Sequence, residues 1–218
     1  MAGAIRARRK AERPSEILEA AFEEFVLHGY AATRLEDVAA RAGVTKGTIY
    51  VYFHNKEEVF GALARELGKG LLERVAPFFE ERGEPTAESI RTDLMLLYRG
   101  CADDRRSREL LRLLIAEAMR FPELVDEHFQ SFFEPILETL RERLLRGIAA
   151  GVFRPSPVAD FPELLLGPAL SFHIWKLLFA EREPLDAEKH FAAALDLVLG
   201  GLLPRADEAV TDGNSPPS

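Results

Sequence analysis

A short stretch near the amino terminus, GVTKGTIYVYFHNKEE from Gly43 to Glu58, gathers side chains that can donate hydrogen bonds to an anion. No acidic residue occurs between Val38 and Lys56, although the chain contains 36 acidic residues. Hydroxyl, ammonium and imidazole groups at close spacing, without carboxylates between them, suit contact with a polyanion. The donor side chains are Thr45, Lys46, Thr48, Tyr50, Tyr52, His54 and Lys56.

The sequence offers little that would support catalysis or metal binding. Its single cysteine, Cys101, has no adjacent base, and no phosphate-binding glycine loop occurs. We therefore assign no catalytic residue, no metal ligand and no cofactor, and a small helical enzyme is kept only as the alternative from another functional class. The histidines, which show no tight metal-ligand spacing, are His28, His54, His128, His173 and His190.

Composition places the chain among ordinary globular proteins. Its 218 residues are 47% hydrophobic and 29% charged, which suffices for a core in one domain or two. One cysteine excludes an internal disulfide and indicates a reducing compartment. Since no secretory signal and no run of about 18 uncharged apolar residues occurs, we expect a soluble, cytoplasmic protein without a membrane partner.

Charge is distributed unevenly along the chain, whose net charge is −8. Nine basic and nine acidic residues precede Gly61, so the whole net negative charge lies beyond Phe60. Five of those basic residues lie before Pro14, in a segment that we predict to be a basic flexible arm, 1–13. A neutral first part with basic clusters and an acidic remainder indicate two regions with different tasks.

Capping and breaking residues predict where the first helices begin and end. Apolar residues recur at helical spacing from Ile17 to Leu27, and Gly29 suits a left-handed helix end. Thr33-Arg34-Leu35-Glu36 matches a capping box, in which Thr33 and Glu36 would satisfy exposed amides and start a second helix. Gly43 would end that helix.

The third helix is expected against its local propensity. Thr48 to Phe53 reads Thr-Ile-Tyr-Val-Tyr-Phe, which favours a strand. We predict a helix because burial of Ile49 and Phe53 outweighs preferences below about 1 kcal/mol per residue. Thr45 can cap this helix, and Asn55-Lys56-Glu57-Glu58 can begin a fourth.

The second and third helices satisfy the steric demands of a helix-turn-helix. Ala39 is small where the helices cross, and Gly43 supplies a positive φ four residues later. Gly47 costs about 1 kcal/mol relative to alanine, and close approach of its backbone to DNA is one reason to tolerate it. The outward hydroxyls and lysines suit phosphates and base edges, although a small subdomain with a solvated polar face is the alternative. The side chains that seal the interface are Val38, Ala42, Val44 and Ile49.

The rest of the chain also follows helical periodicity, without strand patterns or internal repeats. We predict an all-α fold of about nine helices, in which Pro135 kinks a long helix from Leu124 to Gly151. We predict a three-helix helix-turn-helix DNA-binding domain joined to a larger helical domain. The predicted ranges are 1–13 for the arm, 14–60 for the first domain, 61–204 for the second and 205–218 for a disordered tail.

Four pieces of sequence, FVLHGY, TRLEDVAARAGV, KGTIYVYF and NKEE, occur in order between Ile17 and Leu63. Together they resemble the DNA-binding domain of the TetR family of bacterial repressors. Farther along, IAEAMRFPEL and the long helix that follows it are similar to the carboxy-terminal domain of an AefR-like subgroup.

The resemblance implies that the third helix enters the major groove and that the lysine following it touches the DNA backbone. Thr33 would cap the second helix beside a phosphate. The implied contacts, carried over position by position, are Thr33, Arg34, Thr45, Lys46, Gly47, Thr48, Tyr50, Tyr52, His54 and Lys56.

The resemblance also implies a homodimer that binds a palindromic double-stranded operator in the bacterial cytoplasm and stays with the nucleoid while bound. Each body would bind a small hydrophobic effector, which changes the spacing of the two DNA-binding domains and releases DNA. A dimeric regulator without an effector is the alternative, and activation rather than repression is also open.

Large or amphipathic side chains in the later helices are candidates for the effector pocket, although a core role is the alternative for most of them. His173 needs a polar partner among apolar neighbours, either within the core or from a ligand. The pocket candidates are Met95, Tyr98, Cys101, Met119, Phe133, Phe172, His173 and Trp175. The last helix presents a stripe for a dimer interface or for the core, formed by Ala194, Leu195, Val198 and Leu202.

Overall fold

The computed structural model describes residues 2–80, 83–102 and 104–204, and for residues 2–12 and 102 it describes the backbone without the side chains. The predicted tail, 205–218, lies outside the described residues. The basic side chains of the predicted arm also lie outside them, apart from Arg13, which pairs with Glu16 at 2.9 Å. The flexibility of the arm therefore stays a prediction.

Contacts divide the chain into two units, each with its own core. We call Met1–Gly70 with Glu109–His128 the head unit, and Leu71–Arg108 with Phe129–Ser218 the body unit. The segment Glu109–His128, which the sequence pattern assigns to the second domain, thus packs with the helix-turn-helix. The predicted functional ranges 14–60 and 61–204 stay predictions.

Four helices occupy the first part of the chain, and the predicted positive φ at Gly29 is present. Gly29 has φ 73° and interrupts the first helix near its end. Gly43, with φ 65°, follows the second helix. The helices are α1 (Ala2–Ala32), α2 (Leu35–Arg41), α3 (Lys46–Tyr52) and α4 (Lys56–Val75).

The core of the head unit joins the helix-turn-helix to the later segment. Phe25 of α1, Ile49 of α3 and Phe60 of α4 are almost fully buried in one cluster. Leu110 and Leu114 belong to the same cluster and come from α6 (Arg105–Glu117). The expectation that Ile49 and Phe53 turn inward is confirmed, since they are 0% and 7% exposed.

The body unit is also helical, and no strand occurs in the part of the chain that the structure describes. Its core includes Tyr98, Phe172 and Phe191. The ring centroid of Phe191 lies 5.3 Å from that of Tyr98 and 5.1 Å from that of Phe172. None of the helices within the described residues is both long and apolar enough to span a bilayer. The helices of the body unit include α5 (Ala87–Ala102), α8 (Glu134–Ala149), α9 (Gly167–Phe179) and α10 (Ala187–Leu202).

The predicted long helix from 124 to 151 is divided in two. A π-helical turn, Phe129–Phe133, separates α7 (Pro122–His128) from α8. Pro135 lies in the first turn of α8, where its missing N–H breaks no helical hydrogen bond. The interruption expected from Pro135 therefore takes the form of a π turn.

Candidate nucleic-acid interface

The turn between α2 and α3 has the geometry that the sequence predicts. Gly43 has φ 65°, and the backbone N–H of Val44 donates to the carbonyl of Ala39 at 2.9 Å. Val38 and Ala39 are buried beside Ile49, so α2 and α3 meet through small and branched side chains. Ile49 is the only buried residue of the seven in α3.

Thr45 caps α3, as predicted. Its hydroxyl accepts a hydrogen bond from the Thr48 backbone N–H at 3.2 Å and lies 2.9 Å from the Thr48 hydroxyl. Thr45 is exposed and Thr48 half-buried. The cap thus holds the Thr45 and Thr48 hydroxyls close together in the first turn of α3.

The outer side of α3 differs in one position from the predicted contact set. Lys46, Gly47 and Tyr50 are exposed, but Tyr52 is half-buried against the head core. Val51 is 71% exposed, and the sequence analysis missed it because an aliphatic side chain reads as a core residue. Apolar methyl groups on such a surface can contact the thymine methyl group in a major groove.

Gly47 is not required by the fold. Its φ is not positive, and a Cβ built there would meet no neighbouring atom closer than the Thr45 Oγ1 at 3.8 Å. Glycine weakens a helix interior by about 1 kcal/mol relative to alanine. An unfavourable residue without a structural reason fits a position that a partner approaches closely.

Two of the predicted cationic or titratable contacts are paired with carboxylates. Lys46 Nζ donates to Glu36 Oε1 of α2, and His54 Nδ1 lies 2.8 Å from Glu58 Oε2. The hydrogen bond from Lys46 lowers the pKa of Glu36, and its partner Glu36 raises the pKa of Lys46. The backbone N–H and then the ring of His54 lower the pKa of Glu58. Lys46 and His54 on this polar surface therefore already have carboxylate partners within the chain.

Lys56 has a structural role that the sequence did not indicate. Its ammonium donates to the carbonyl oxygens of Tyr30, Ala31 and Thr33 at 2.8, 3.1 and 3.0 Å, and lies 4.4 Å from the Tyr30 ring centroid. The three ammonium protons are thus donated to the carbonyls that follow the Gly29 interruption. As a correction, Lys56 closes the end of α1, and only its charge is left for a phosphate.

The capping box predicted at Thr33 is wrong. Thr33 is 2% exposed, and its hydroxyl donates backwards to the carbonyls of Glu24 and Gly29 at 3.1 and 2.8 Å. The N-cap of α2 is Arg34, whose side chain makes no capping hydrogen bond. Thr33 therefore ties the end of α1 together and does not offer its hydroxyl at the surface, whereas Arg34 is exposed beside α2.

Aromatic rings join the later segment to the head core. Phe121 lies 5.0 Å from the Tyr30 ring and 5.2 Å from the Phe60 ring, between centroids. The Arg120 guanidinium lies 4.7 Å from the Tyr30 ring centroid and 3.6 Å from the Glu57 carboxylate. Burial is the main cause that raises the pKa of Tyr30 to about 12. This cluster supports α1 and α4 beneath the polar surface.

The predicted effector-pocket residues do not form one pocket. Tyr98 and Phe172 are 0% exposed in the body core, and the Tyr98 hydroxyl donates to the Leu165 carbonyl at 2.7 Å. Met119 belongs to the head unit and is 97% exposed, so its assignment to the pocket is wrong. The Trp175 Nε1 donates to the Glu183 carbonyl at 2.8 Å, on the surface.

Three further candidates have different surroundings. His173 is 5% exposed, its Nδ1 has no hydrogen-bond partner among the described residues, and burial lowers its pKa to about 4. Burial also raises the pKa of the Cys101 thiol to about 12. Phe133 is half-buried and packs on Phe132, with ring centroids 5.2 Å apart. These surroundings are those of core residues.

Two cavities of the size of small-molecule pockets lie in the body unit, among the described residues. One, of about 510 Å³, is mainly polar and lies around the Asp93–Arg143 ion pair, whose atoms are 2.6 Å apart. The other, of about 680 Å³, contains one predicted pocket residue, Met95. Its apolar wall is Met95, Leu96 and Leu195, and its rim includes Arg74, Arg91 and Arg99.

The predicted dimer stripe on α10 faces the core. Leu195 and Leu202 are 0% and 3% exposed, and Ala194 and Val198 are half-buried against the same cluster. A different apolar surface is exposed. We define the α9–α10 surface as Leu170, Ile174 and Leu178 of α9, at a spacing of four residues, with Leu197 of α10, which is 79% exposed.

Two family models match the sequence. One, described as bacterial regulatory proteins of the tetR family, matches residues 17–63. The other, described as the tetracyclin repressor-like C-terminal domain, matches residues 84–196. A relative from Bacillus subtilis (strain 168), named "Uncharacterized HTH-type transcriptional regulator YhgD", is 31% identical over 195 residues, which cover 88% of this chain and 97% of that protein.

Solved structures share the fold over most of the chain. A TetR/AcrR-family transcriptional regulator from Thermobifida fusca YX-ER1 is 28% identical with a TM-score of 0.63, covering 87% of this chain and 98% of that one. The transcriptional regulator FadR from Bacillus subtilis, in complex with stearoyl-CoA, is 20% identical with a TM-score of 0.65, covering 86% of this chain and 98% of that one. At 20% identity the likeness shows the fold alone.

Proposed function

Because this chain belongs to the TetR family of bacterial regulatory proteins, we propose that it is a repressor that binds a palindromic operator as a homodimer and leaves it when a small hydrophobic effector binds. The family makes it a DNA-binding transcriptional regulator and not an enzyme. The repressor action, the symmetry of the operator, the dimer and the effector are the proposed part. We place it in the cytoplasm of a bacterium, where its DNA lies.

The observation that carries the proposal is the outer side of α3. With its side chains an α-helix is about 10–12 Å across, and the major groove is about 12 Å wide, so a helix such as α3 can enter it. Lys46, Tyr50 and Val51 are exposed there, while Ile49 alone is buried. The proposed DNA contacts are Arg34, Thr45, Lys46, Gly47, Thr48, Tyr50, Val51, Tyr52 and His54, with Lys56 supplying charge.

Dimerisation is supported by the α9–α10 surface. Leu170, Ile174 and Leu178 form one stripe along α9, and Leu197 is exposed on α10. Exposed apolar surface of this kind marks an interaction site in a soluble protein. Two copies that pair through these helices would form a four-helix bundle, and two heads about 34 Å apart would reach successive major grooves.

An effector site in the body unit is supported by the cavity beside Met95. Its volume of about 680 Å³ lies in the range of small-molecule pockets. The apolar lining residues Met95, Leu96 and Leu195 suit a molecule with an apolar chain. Since the FadR structure holds stearoyl-CoA, acyl compounds are the first class to test.

One experiment tests the regulator and leads to the effector. Genomic fragments retained by the purified protein would be sequenced, and we expect a palindromic site with two half-sites one or two helical turns apart. An acyl compound that raises the melting temperature should release these fragments. Retention of fragments that share no sequence would overturn the operator proposal.

A regulator without an effector is the second candidate, because most of the predicted pocket residues are packed core. Stabilisation by a ligand that is lost in Met95→Trp, with the fold intact, would favour the effector. The absence of any thermal shift or release across a broad set of hydrophobic compounds would favour the constitutive regulator.

A further inference from the structure

The outer surface of the helix-turn-helix carries one acid–base contact between its two helices. Glu36 lies in the first turn of α2, and Lys46 is the first residue of α3. Their side chains are 56% and 47% exposed, and the Lys46 ammonium donates to Glu36 Oε1. The same ammonium lies 5.6 Å from the Tyr50 ring centroid. Lys46 is thus held between an acid of one helix and an aromatic ring of its own helix.

This pairing matters because Lys46 is the foremost cation on the proposed DNA contact surface. Lys56 donates its protons to three backbone carbonyls, and His54 is bonded to Glu58. Arg34 is exposed beside Glu36 and adds to the positive potential there. A carboxylate on Lys46 competes with a phosphate oxygen for a proton of the ammonium, since both anions bind an ammonium in the same way.

We propose that Glu36 competes with DNA phosphate for Lys46, so that docking of α3 exchanges a carboxylate for a phosphate and Glu36 sets the strength and salt dependence of DNA binding. The inference rests on the proposed docking of α3 in the major groove. It assigns a tuning role to a residue that does not itself contact DNA.

The exchange has a measurable electrostatic consequence. A lysine that neutralises a phosphate releases condensed counterions, which steepens the dependence of log K on log salt by about 0.9 per phosphate. In the wild-type protein Glu36 loses its partner at that moment and takes up a cation from solution, so part of the release is cancelled. Removing the Glu36 charge should restore the full slope.

The test is a double-mutant cycle on Glu36→Gln and Lys46→Gln in the full chain. Binding to a fluorescently labelled random-sequence duplex would be measured by anisotropy across a salt series, which needs no knowledge of the operator. We expect Glu36→Gln to bind about two- to fivefold more tightly at moderate salt, as expected for loss of one exposed ion pair, and to steepen the slope by up to about 0.9. In the Lys46→Gln background this gain should fall to the general effect of removing one acid near DNA.

Asp37→Asn is the matched control. Asp37 is exposed in the same turn of α2, and none of the described contacts joins its side chain to Lys46. This variant removes the same charge from the same region, so it measures the general effect of one acid less near DNA. Glu36→Gln should exceed Asp37→Asn in the Lys46 background and equal it in the Lys46→Gln background.

The outcomes separate this inference from the docking proposal. If Lys46→Gln binds like wild type, α3 does not dock through Lys46 and both proposals fail. If Lys46→Gln weakens binding but Glu36→Gln still exceeds Asp37→Asn in that background, docking stands and the exchange is overturned.

A second measurement uses the wild-type protein and so does not depend on the folding of variants. The carboxyl carbon of Glu36 would be followed by NMR during an acid titration, free and bound to the duplex. The hydrogen bond from Lys46 lowers the pKa of Glu36 in the free protein. Loss of that partner beside phosphates should raise the pKa on DNA binding, and an unchanged pKa in the complex would contradict the exchange.

Discussion

The two surfaces proposed to bind partners differ in how far they are satisfied within one chain. On the outer side of α3, Lys46 is paired with Glu36 and His54 with Glu58. On the α9–α10 surface, Leu178 and Leu197 are 63% and 79% exposed to water. Binding at the first surface replaces existing polar contacts, whereas binding at the second buries apolar area. The first should weaken steeply with salt, and the second should not.

The largest effect is expected from charges on the apolar surface. Leu178→Glu combined with Leu197→Glu should give monomers by analytical ultracentrifugation, because carboxylates would be buried without partners. Loss of the second head should lower operator affinity about 100-fold or more. Leu145→Glu is the control, since Leu145 is 52% exposed on α8, away from that surface. Dimers that persist in the double variant would show that the subunits meet elsewhere.

A second prediction concerns the body unit and states how His173 makes the free energy of unfolding depend on pH. The pKa of His173 is lowered from 6.5 to about 4 by burial, so the folded protein keeps this ring neutral. Between pH 6.5 and 4 the unfolded chain takes up a proton that the folded chain does not, and the free energy of unfolding falls by up to about 3 kcal/mol. Chemical denaturation of His173→Gln should show a flatter acid dependence, and parallel curves would contradict the prediction.

The third prediction contrasts two lysines of the polar surface, Lys56 and Lys46. Lys56→Ala should lower the free energy of unfolding by about 2 kcal/mol, because hydrogen bonds from a charged group to three carbonyls are lost. Lys46→Ala should leave stability nearly unchanged and weaken DNA binding at low salt. Urea unfolding and salt-dependent binding of both variants test this difference. If the two variants are equally stable, Lys56 has no structural role and is a simple phosphate contact.

The smallest expected effect has opposite signs for folding and for binding. Gly47→Ala should stabilise the protein by up to about 1 kcal/mol, since the added methyl group would meet only the Thr45 Oγ1, at 3.8 Å. It should nevertheless reduce operator affinity, because the methyl group would stand between the α3 backbone and DNA. Thermal melting and operator titration of the same sample provide the check. Unchanged affinity with higher stability would show that DNA stays clear of Gly47.

The helix-turn-helix could be predicted because its constraints are local. Gly43, Ala39 and Ile49 lie within eleven positions, and the turn leaves few alternatives for their packing. The structural contacts of Lys56 could not be predicted because its carbonyl partners lie 23 to 26 residues away, at the end of α1 and just after it. No spacing rule connects an ammonium to backbone that another segment leaves unpaired.

Two residues of the predicted dimer stripe, Leu195 and Leu202, lie in the core for a different physical reason, and the stripe as a dimer interface stays a prediction. The last helix is apolar on two sides, with Leu195, Leu199 and Leu202 inside and Leu197 outside. Helical periodicity identifies such sides but does not say which of them meets the core of the same chain. The exposed stripe on α9 becomes visible only once the neighbouring helices are in place.

The single buried anchor of α3 has a consequence for how new binding specificities arise. With Ile49 as the only buried residue of the helix and Thr45 as its cap, most outer positions contribute nothing to the core. Substitutions at Tyr50 and Val51 should therefore leave folding nearly unchanged, and under the proposed docking of α3 they would alter operator preference. The head unit would then keep its fold while the residues proposed to contact DNA change.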